Sequence, residues 1–309
     1  MSMTRREWLA WSLGAGAAAA AAGWRVPAFA GAAAGAPHMT VIPSTGEKLP
    51  CVGIGTVDYR GDPSSAAMGV LRETLQAFHR LGGRVLDTSP NYGNSEEVLG
   101  QLLTDMGIRD DMWIATKVDR EDKAGGTERM EGSFGRLRGP IQLMQVHNLR
   151  GVDVQLETLK AWKAQGRFRY IGITTHQVGQ HDEIERYMLG HDLDFVQLNY
   201  SVVDRAADDR LLPLAQERGV AVLVNRPFGD GKLFGIVRGR PLPGWAEDID
   251  AGSWAQVMLK FIIAHPAATL PIPGTTKPHH AEDNAGAMYG RLPDAALRLE
   301  MARYFDNLA

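Results

Sequence analysis

Four side chains able to hold or move a proton stand at the ends of three successive apolar segments. Asp87 and Tyr92 lie in Leu86-Asp87-Thr88-Ser89-Pro90-Asn91-Tyr92-Gly93, Lys117 closes Ala115-Thr116-Lys117, and His147 lies in Gln145-Val146-His147-Asn148. Singly, each has an ordinary reading: an Asp after a strand caps a helix or forms a turn, a terminal Lys is solvated, a lone Tyr packs, a lone His is structural. Together they suit the reduction of a carbonyl, which takes a hydride on carbon and a proton on oxygen. A free phenol has a pKa of about 10, a weak acid at neutral pH. An ammonium beside it favours the phenolate and lowers that value. Asp87 would fix the Lys117 ammonium, Tyr92 would give the proton, and His147 would hydrogen-bond the carbonyl oxygen and orient it.

Such residues need elements that bring them to one place. Eight short β-rich segments run through the chain at 51–57, 84–87, 112–118, 143–147, 170–174, 195–199, 221–225 and 269–272. Most are near-continuous apolar runs, the pattern of parallel strands buried on both faces. Segments of helical spacing alternate with them at 64–81, 94–106, 152–165, 182–189, 206–218, 253–265 and 279–288. The first of these places Ala67, Val70, Leu71, Leu75 and Phe78 on one face. Residues 127–137 read as a weak helix because of their glycines, and 293–307 as a last helix outside the barrel or across its mouth. Alternation repeated eight times predicts an α/β chain closed into a (β/α)8 TIM barrel, whose functional residues gather at the C-terminal strand ends. An open doubly wound sheet is the alternative, and no glycine-rich GxGxxG turn after the first strand supports it.

The run from Leu86 to Glu96 resembles the second-strand signature of the aldo-keto reductases. Ile114-Ala115-Thr116-Lys117 and Gln145-Val146-His147-Asn148 resemble the third and fourth, and Ser133-Phe134-Gly135-Arg136-Leu137 the family's Ser-Leu-x-Arg-Leu helix. Tyr170-Ile171-Gly172-Ile173-Thr174, Val196-Gln197-Leu198-Asn199-Tyr200 and Ile272-Pro273-Gly274-Thr275-Thr276-Lys277-Pro278 with Glu282-Asp283-Asn284 resemble the fifth, sixth and eighth. The match runs from about Pro50 to about Ala287. It implies a catalytic tetrad of Asp87, Tyr92, Lys117 and His147, none substituted, and NADP as cofactor, with NAD possible.

The resemblance further implies cofactor contacts at Gly55, Thr56, Thr174, Gln197, Asn225, Arg226, Gly229, Gly274, Thr275, Thr276, Lys277, His280, Asp283 and Asn284. Several depart from the family pattern. Thr174-Thr175 replaces a Ser-Asn pair at the nicotinamide carboxamide. Asn225 stands where a tyrosine stacks on the ring. Gly274 and His280 stand where a lysine and an arginine contact the 2′-phosphate. Lys277 and the hydroxyls of Thr275 and Thr276 still offer charge and hydrogen bonds. Arg226 suits the pyrophosphate or the carboxamide, or forms a rim salt bridge. No metal site is expected, since His265, His279 and His280 lack ligand spacing with a helical carboxylate. Loops 58–63 and 149–152 are short. Residues 229–252, with Phe234 and Trp245, are long enough to fold over the cofactor or line a pocket. Trp113 and Trp162 are placed on the barrel exterior.

The remaining composition bounds the partners. The chain has 309 residues, a net charge of −3 and no basic block after residue 40, which speaks against nucleic acid or an anionic membrane surface. Residues 1–30 combine a basic start with Arg5-Arg6, an Ala/Gly/Leu run and a small-x-small end at Ala28-Phe29-Ala30. That is the pattern of a signal peptide of twin-arginine type, cleaved after Ala30. Residues 31–40 read as a linker and 41–309 as the barrel. The expected location is periplasmic, with the twin-arginine translocase as an export partner, no membrane insertion after cleavage, and a small carbonyl compound as substrate. Cys51 is the only cysteine, so the chain makes no internal disulfide. A non-catalytic cofactor-binding protein on the same barrel is the competing reading. A metal-dependent isomerase or lyase would want His and carboxylate ligands at several strand ends, where only His147 and Asp87 are found.

Overall fold

The computed structural model describes residues 35–267 and 269–308. Residues 1–30, which the sequence reads as a signal peptide, and the first part of the expected linker lie outside the described residues. Residues 39 and 40, counted with the linker, instead belong to a strand. Met39–Val41 (β1) pairs antiparallel with Lys48–Pro50 (β2). This hairpin escaped the sequence reading because its strands are three residues long.

Eight parallel strands follow: Gly53–Gly55 (β3), Val85–Asp87 (β4), Trp113–Val118 (β5), Leu143–Val146 (β6), Tyr170–Thr174 (β7), Phe195–Asn199 (β8), Ala221–Asn225 (β9) and Thr269–Pro271 (β10). Each pairs with the next in chain order. The ends meet through a parallel bridge between Gly55 and Gly274, with Gly55 N–H donating to Pro273 O at 3.2 Å. A Cβ on Gly55 would stand 3.0 Å from Ile272 O, so glycine is what lets the seam close. This is the expected (β/α)8 TIM barrel.

Helices cover the barrel: Gly69–Arg80 (α1), Ser95–Asp105 (α2), Lys123–Leu137 (α3), Val152–Ala164 (α4), His181–Gly190 (α5), Leu211–Arg218 (α6), Lys232–Ile236 (α7), Trp254–Ile263 (α8), Pro278–Gly286 (α9) and Ala295–Asp306 (α10). Two readings need correction. Val70 is 52% exposed; the buried face of α1 is Leu71, Thr74, Leu75, Ala77 and Phe78. The glycine-rich stretch at 127–137 lies within a fifteen-residue helix, α3, capped by Asp122 accepting Gly125 N–H at 2.8 Å. Gly126 carries no defect, because a Cβ there would sit 2.1 Å from Gln155 Oε1 on α4.

Strand alternation divides the core into two clusters. Leu86, Ile114, Met144, Ile171, Val196 and Val222 point outward to the helices. Val85, Trp113, Leu143, Tyr170, Phe195 and Ala221 point inward and, with Ile42 and Leu49 from the hairpin, fill the N-terminal half of the barrel. Trp113 is therefore interior, not exterior, packing at 6.0 Å from Tyr170 and 5.6 Å from Phe195. Each ring removes about 150–250 Å² from water, or about 4–6 kcal/mol of gross hydrophobic stabilisation at ~25 cal/mol/Å². Trp162 does lie outside the strands, beside Phe134 and Phe168. The hairpin is tied on by Tyr170, whose hydroxyl donates to Glu47 Oε2 at 2.5 Å. With the lower half plugged, only the C-terminal half can hold polar groups.

Candidate active site

Above the aromatic plug the inward positions turn polar: Asp87, Lys117, Gln145, Gln197, Asn199 and Asn225. Lys117 Nζ lies 2.6 Å from Asp87 Oδ2 and donates to Thr88 O at 2.8 Å. Gln197 and Gln145 donate to the other carboxylate oxygen at 2.9 and 3.3 Å. Asp87 thus takes three donors from three strands, and the sequence reading had foreseen only the lysine. A strand's period of two gives the missing signal, since Gln145 and Gln197 share the inward parity of Leu143 and Phe195.

Tyr92 reaches this layer from the loop after β4, with Lys117 Nζ 5.1 Å from its ring centroid. Burial raises its pKa more than the Lys117 charge lowers it, so the net shift is upward, opposite to the one expected from the lysine alone. The phenol therefore stays protonated at neutral pH, as an acid must. Lys117 is pulled down by burial and raised further by Asp87 and Tyr92, with a net upward shift, so it remains an ammonium. The His147 ring stands edge-on to Tyr92 at 5.9 Å. Burial and the Lys117 charge lower its pKa to about 3, leaving a neutral imidazole. The four residues of the expected tetrad thus come together at one rim.

The loop carrying Tyr92 is braced on both sides. Asn91 donates to Asp119 Oδ2 at 2.5 Å and accepts from Arg129 Nη2 at 2.6 Å, and Arg129 Nε meets Asp119 Oδ1 at 3.2 Å. On the core side Glu96, nearly inaccessible, accepts from Thr116 at 2.5 Å, Ser133 at 3.1 Å and Arg136 at 2.8 Å. The Ser-x-x-Arg spacing of α3 exists to hold that buried carboxylate. Thr56, assigned to the cofactor, belongs to this brace. It is fully buried, donates to Asp87 O at 3.0 Å and meets Ser95 Oγ at 3.0 Å, so its hydroxyl is not available to a ligand.

The other assigned cofactor residues fall into two groups. Near the tetrad, Thr174 Oγ1 accepts Asn148 N–H at 2.9 Å and keeps its own proton to donate. Gln197 gives one of its two amide protons to Asp87, which leaves the other proton and its carbonyl oxygen. Asn225 donates to Thr175 O at 2.8 Å, while its buried Oδ1 has no partner among the described residues. A carboxamide, which offers both an N–H pair and a carbonyl oxygen, fits this orphaned acceptor and the Thr174 hydroxyl. Arg226 and Asp230 adopt left-handed backbone, φ 50° and 56°, and form a 3.3 Å ion pair at the rim, with Gly229 between them at φ 56°. Beyond the seam at Gly274, Thr275, Thr276, Lys277 and His280 surround the start of α9. Lys277 and His280 are exposed there, which suits a phosphate. Asp283 accepts Gln256 Nε2 at 2.8 Å and Asn284 is buried, so both serve packing as well.

Much of the long stretch at 229–252 is packed down on the barrel's helical layer. Leu233, Val237, Ala246, Ile249 and Ala251 are buried, and Trp245 packs edge-on to Tyr304 of α10 at 5.8 Å. Concavities of about 660 and 470 Å³ flank the hairpin at the opposite end of the barrel, away from the tetrad. Among the described residues no helix is long and apolar enough to cross a membrane.

Fold and site define a barrel oxidoreductase acting on carbonyl groups. The chain belongs to the aldo/keto reductase family, whose model matches residues 51–299. It is 26% identical to the NADH-specific methylglyoxal reductase of Escherichia coli over 83% of this chain and 95% of that one. It is 28% identical to methylglyoxal reductase YeaE of the same organism over 81% and 89%. An aldo/keto reductase of Klebsiella pneumoniae solved with NADP and acetate superposes with a TM-score of 0.70 at 24% identity, over 87% of this chain and 95% of that one. Family membership makes this protein an NAD(P)-dependent oxidoreductase, an enzyme and not a passive cofactor-binding barrel.

Proposed function

We propose that this enzyme reduces small aldehydes or ketones, methylglyoxal among them, using NADPH in preference to NADH, after export to the periplasm by the twin-arginine route. The observation that carries the reaction is the buried Lys117–Asp87 pair at 2.6 Å beneath a protonated Tyr92. When bound, the cofactor supplies the hydride that the carbonyl carbon requires.

The chain's own residues do the rest. His147, neutral, donates to the carbonyl oxygen and polarises it. Tyr92 then gives its proton to that oxygen as negative charge develops there. The phenolate left behind is stabilised by Lys117, which keeps its charge because Asp87 faces it. Asp87 in turn cannot swing away, being held by Gln145 and Gln197. Orientation is thus set before reaction, where fixed dipoles act most strongly.

Methylglyoxal is favoured by the names of the two Escherichia coli relatives and by the short loops around the mouth. NADPH is favoured by the exposed Lys277 and His280 beside Thr275 and Thr276. Loss of NADPH absorbance on adding methylglyoxal tests the activity; no turnover with methylglyoxal or a panel of aromatic aldehydes would overturn it. The export reading rests on Arg5-Arg6 and the segment that follows. Replacing both arginines by lysine is expected to strand the protein in the cytoplasm, and unchanged fractionation would overturn that part.

A further inference from the structure

A neutral imidazole carries one N–H, and the proposed role of His147 needs it on the nitrogen that faces the substrate. Nε2 has no hydrogen-bond partner among the described residues, and the residue keeps 8% exposure at the site. Nδ1 lies 3.1 Å from Ser89 Oγ. Which of those two atoms donates decides the tautomer.

Ser89 is fully buried, and its hydroxyl has a second contact: Asn91 N–H donates to it at 3.1 Å. A hydroxyl has one proton to give and two lone pairs. With Asn91 filling an acceptor position, the proton must go to an acceptor, and the only one within reach among the described residues is His147 Nδ1. Were Nδ1 protonated instead, it would itself donate to Ser89 Oγ, and the buried serine proton would be left without a partner. The Asn91 N–H is held on Ser89 because both ends of the Asn91 side chain are gripped, by Asp119 at 2.5 Å and Arg129 at 2.6 Å. We infer that Ser89 is a positioning residue that locks His147 in the Nε2–H tautomer, through a chain of donors running from Asn91 N–H to Ser89 Oγ–H to His147 Nδ1. The titratable groups facing the ring are Lys117, Asp119, His176 and Arg129. Burial first, then Lys117, disfavours the imidazolium, with smaller help from His176 and Arg129; Asp119 opposes them without prevailing, so the lock acts on a ring with a single proton to place.

The inference deepens the proposed reaction and rests on it for its purpose, while the tautomer itself is measurable without turnover. The experiment is long-range proton–nitrogen NMR on the ¹⁵N-histidine-labelled full chain, with His147→Asn to assign the signal. His147 is expected to show an unprotonated Nδ1 and a protonated Nε2 throughout neutral pH. Ser89→Ala is expected to mix the two tautomers and lower kcat about tenfold, with the Kd for NADPH unchanged, and Ser89→Thr to restore both. A protonated Nδ1 in the wild type overturns the inference. So does Ser89→Ala with a single Nε2–H tautomer and full kcat. A wild type that reduces no carbonyl defeats the proposed function but leaves the tautomer result to decide the inference.

Discussion

Lys117 Nζ stands 2.6 Å from Asp87 Oδ2 with 0% and 3% of the two side chains exposed. A charge pair this deep is costly to desolvate and does not by itself stabilise a fold. Its purpose is to keep an ammonium ready beneath a phenol. Breaking it from one side leaves the other charge buried and alone. Lys117→Met is therefore expected to lower stability by about 3–5 kcal/mol and to remove almost all turnover, as read by urea denaturation and NADPH oxidation. A variant with wild-type stability would show that the ammonium is not held as described.

The pH dependence follows from Tyr92 and His147. Burial holds Tyr92 above its ordinary value, and burial with the Lys117 charge holds His147 down at about 3. The rate is expected to stay level from about pH 5 to 8, with no inflection at the usual histidine value of about 6.5, and to fall only under alkaline conditions as Tyr92 loses its proton. A profile of kcat against pH checks this.

The same histidine links pH to stability. Unfolded, it takes a proton near pH 6.5; folded, it does so only near 3. Between those values the unfolded chain binds more protons, so stability rises with pH through this window. The contribution is complete above about 6.5 and is lost on acidification. Thermal melts of the wild type are expected to drop more steeply between about pH 6.5 and 4 than those of His147→Gln.

Asn225 Oδ1, buried with no partner among the described residues, is expected to accept from the nicotinamide carboxamide. Asn225→Leu is expected to weaken NADPH and NADH binding alike by about tenfold, the worth of one hydrogen bond of ~1.4 kcal/mol. Lys277→Gln is expected to weaken NADPH alone, because only NADPH carries the 2′-phosphate. Titrations by protein fluorescence separate the two effects.

The barrel was legible in the sequence because strands buried on both faces must be apolar throughout, and these runs recur between helices. The tetrad was legible because it closes three such runs. What escaped notice depends on parity and on loops. Trp113 is expected on the exterior, yet it shares the inward parity of Ala115 and Lys117. Gln145 and Gln197 could have been placed by the same rule. Ser89, Asn91, Asp119 and Arg129 could not, since they meet only where two loops and a helix fold together. The family resemblance implies a cofactor contact at Thr56, but its hydroxyl turns inward to Asp87 and Ser95. The sign of the Tyr92 shift was missed because burial, invisible in a sequence, outweighs the lysine.

The proton donor is the centre of the account, and Tyr92→Phe tests it most directly. Removing the phenolic oxygen deletes the acid while leaving the Lys117–Asp87 pair and the cofactor contacts in place. Methylglyoxal reduction by the variant is expected to fall by at least about a thousandfold, with NADPH still bound at close to the wild-type Kd. Turnover retained at anything near the wild-type rate, with NADPH bound, would contradict the assignment of Tyr92 as the donor.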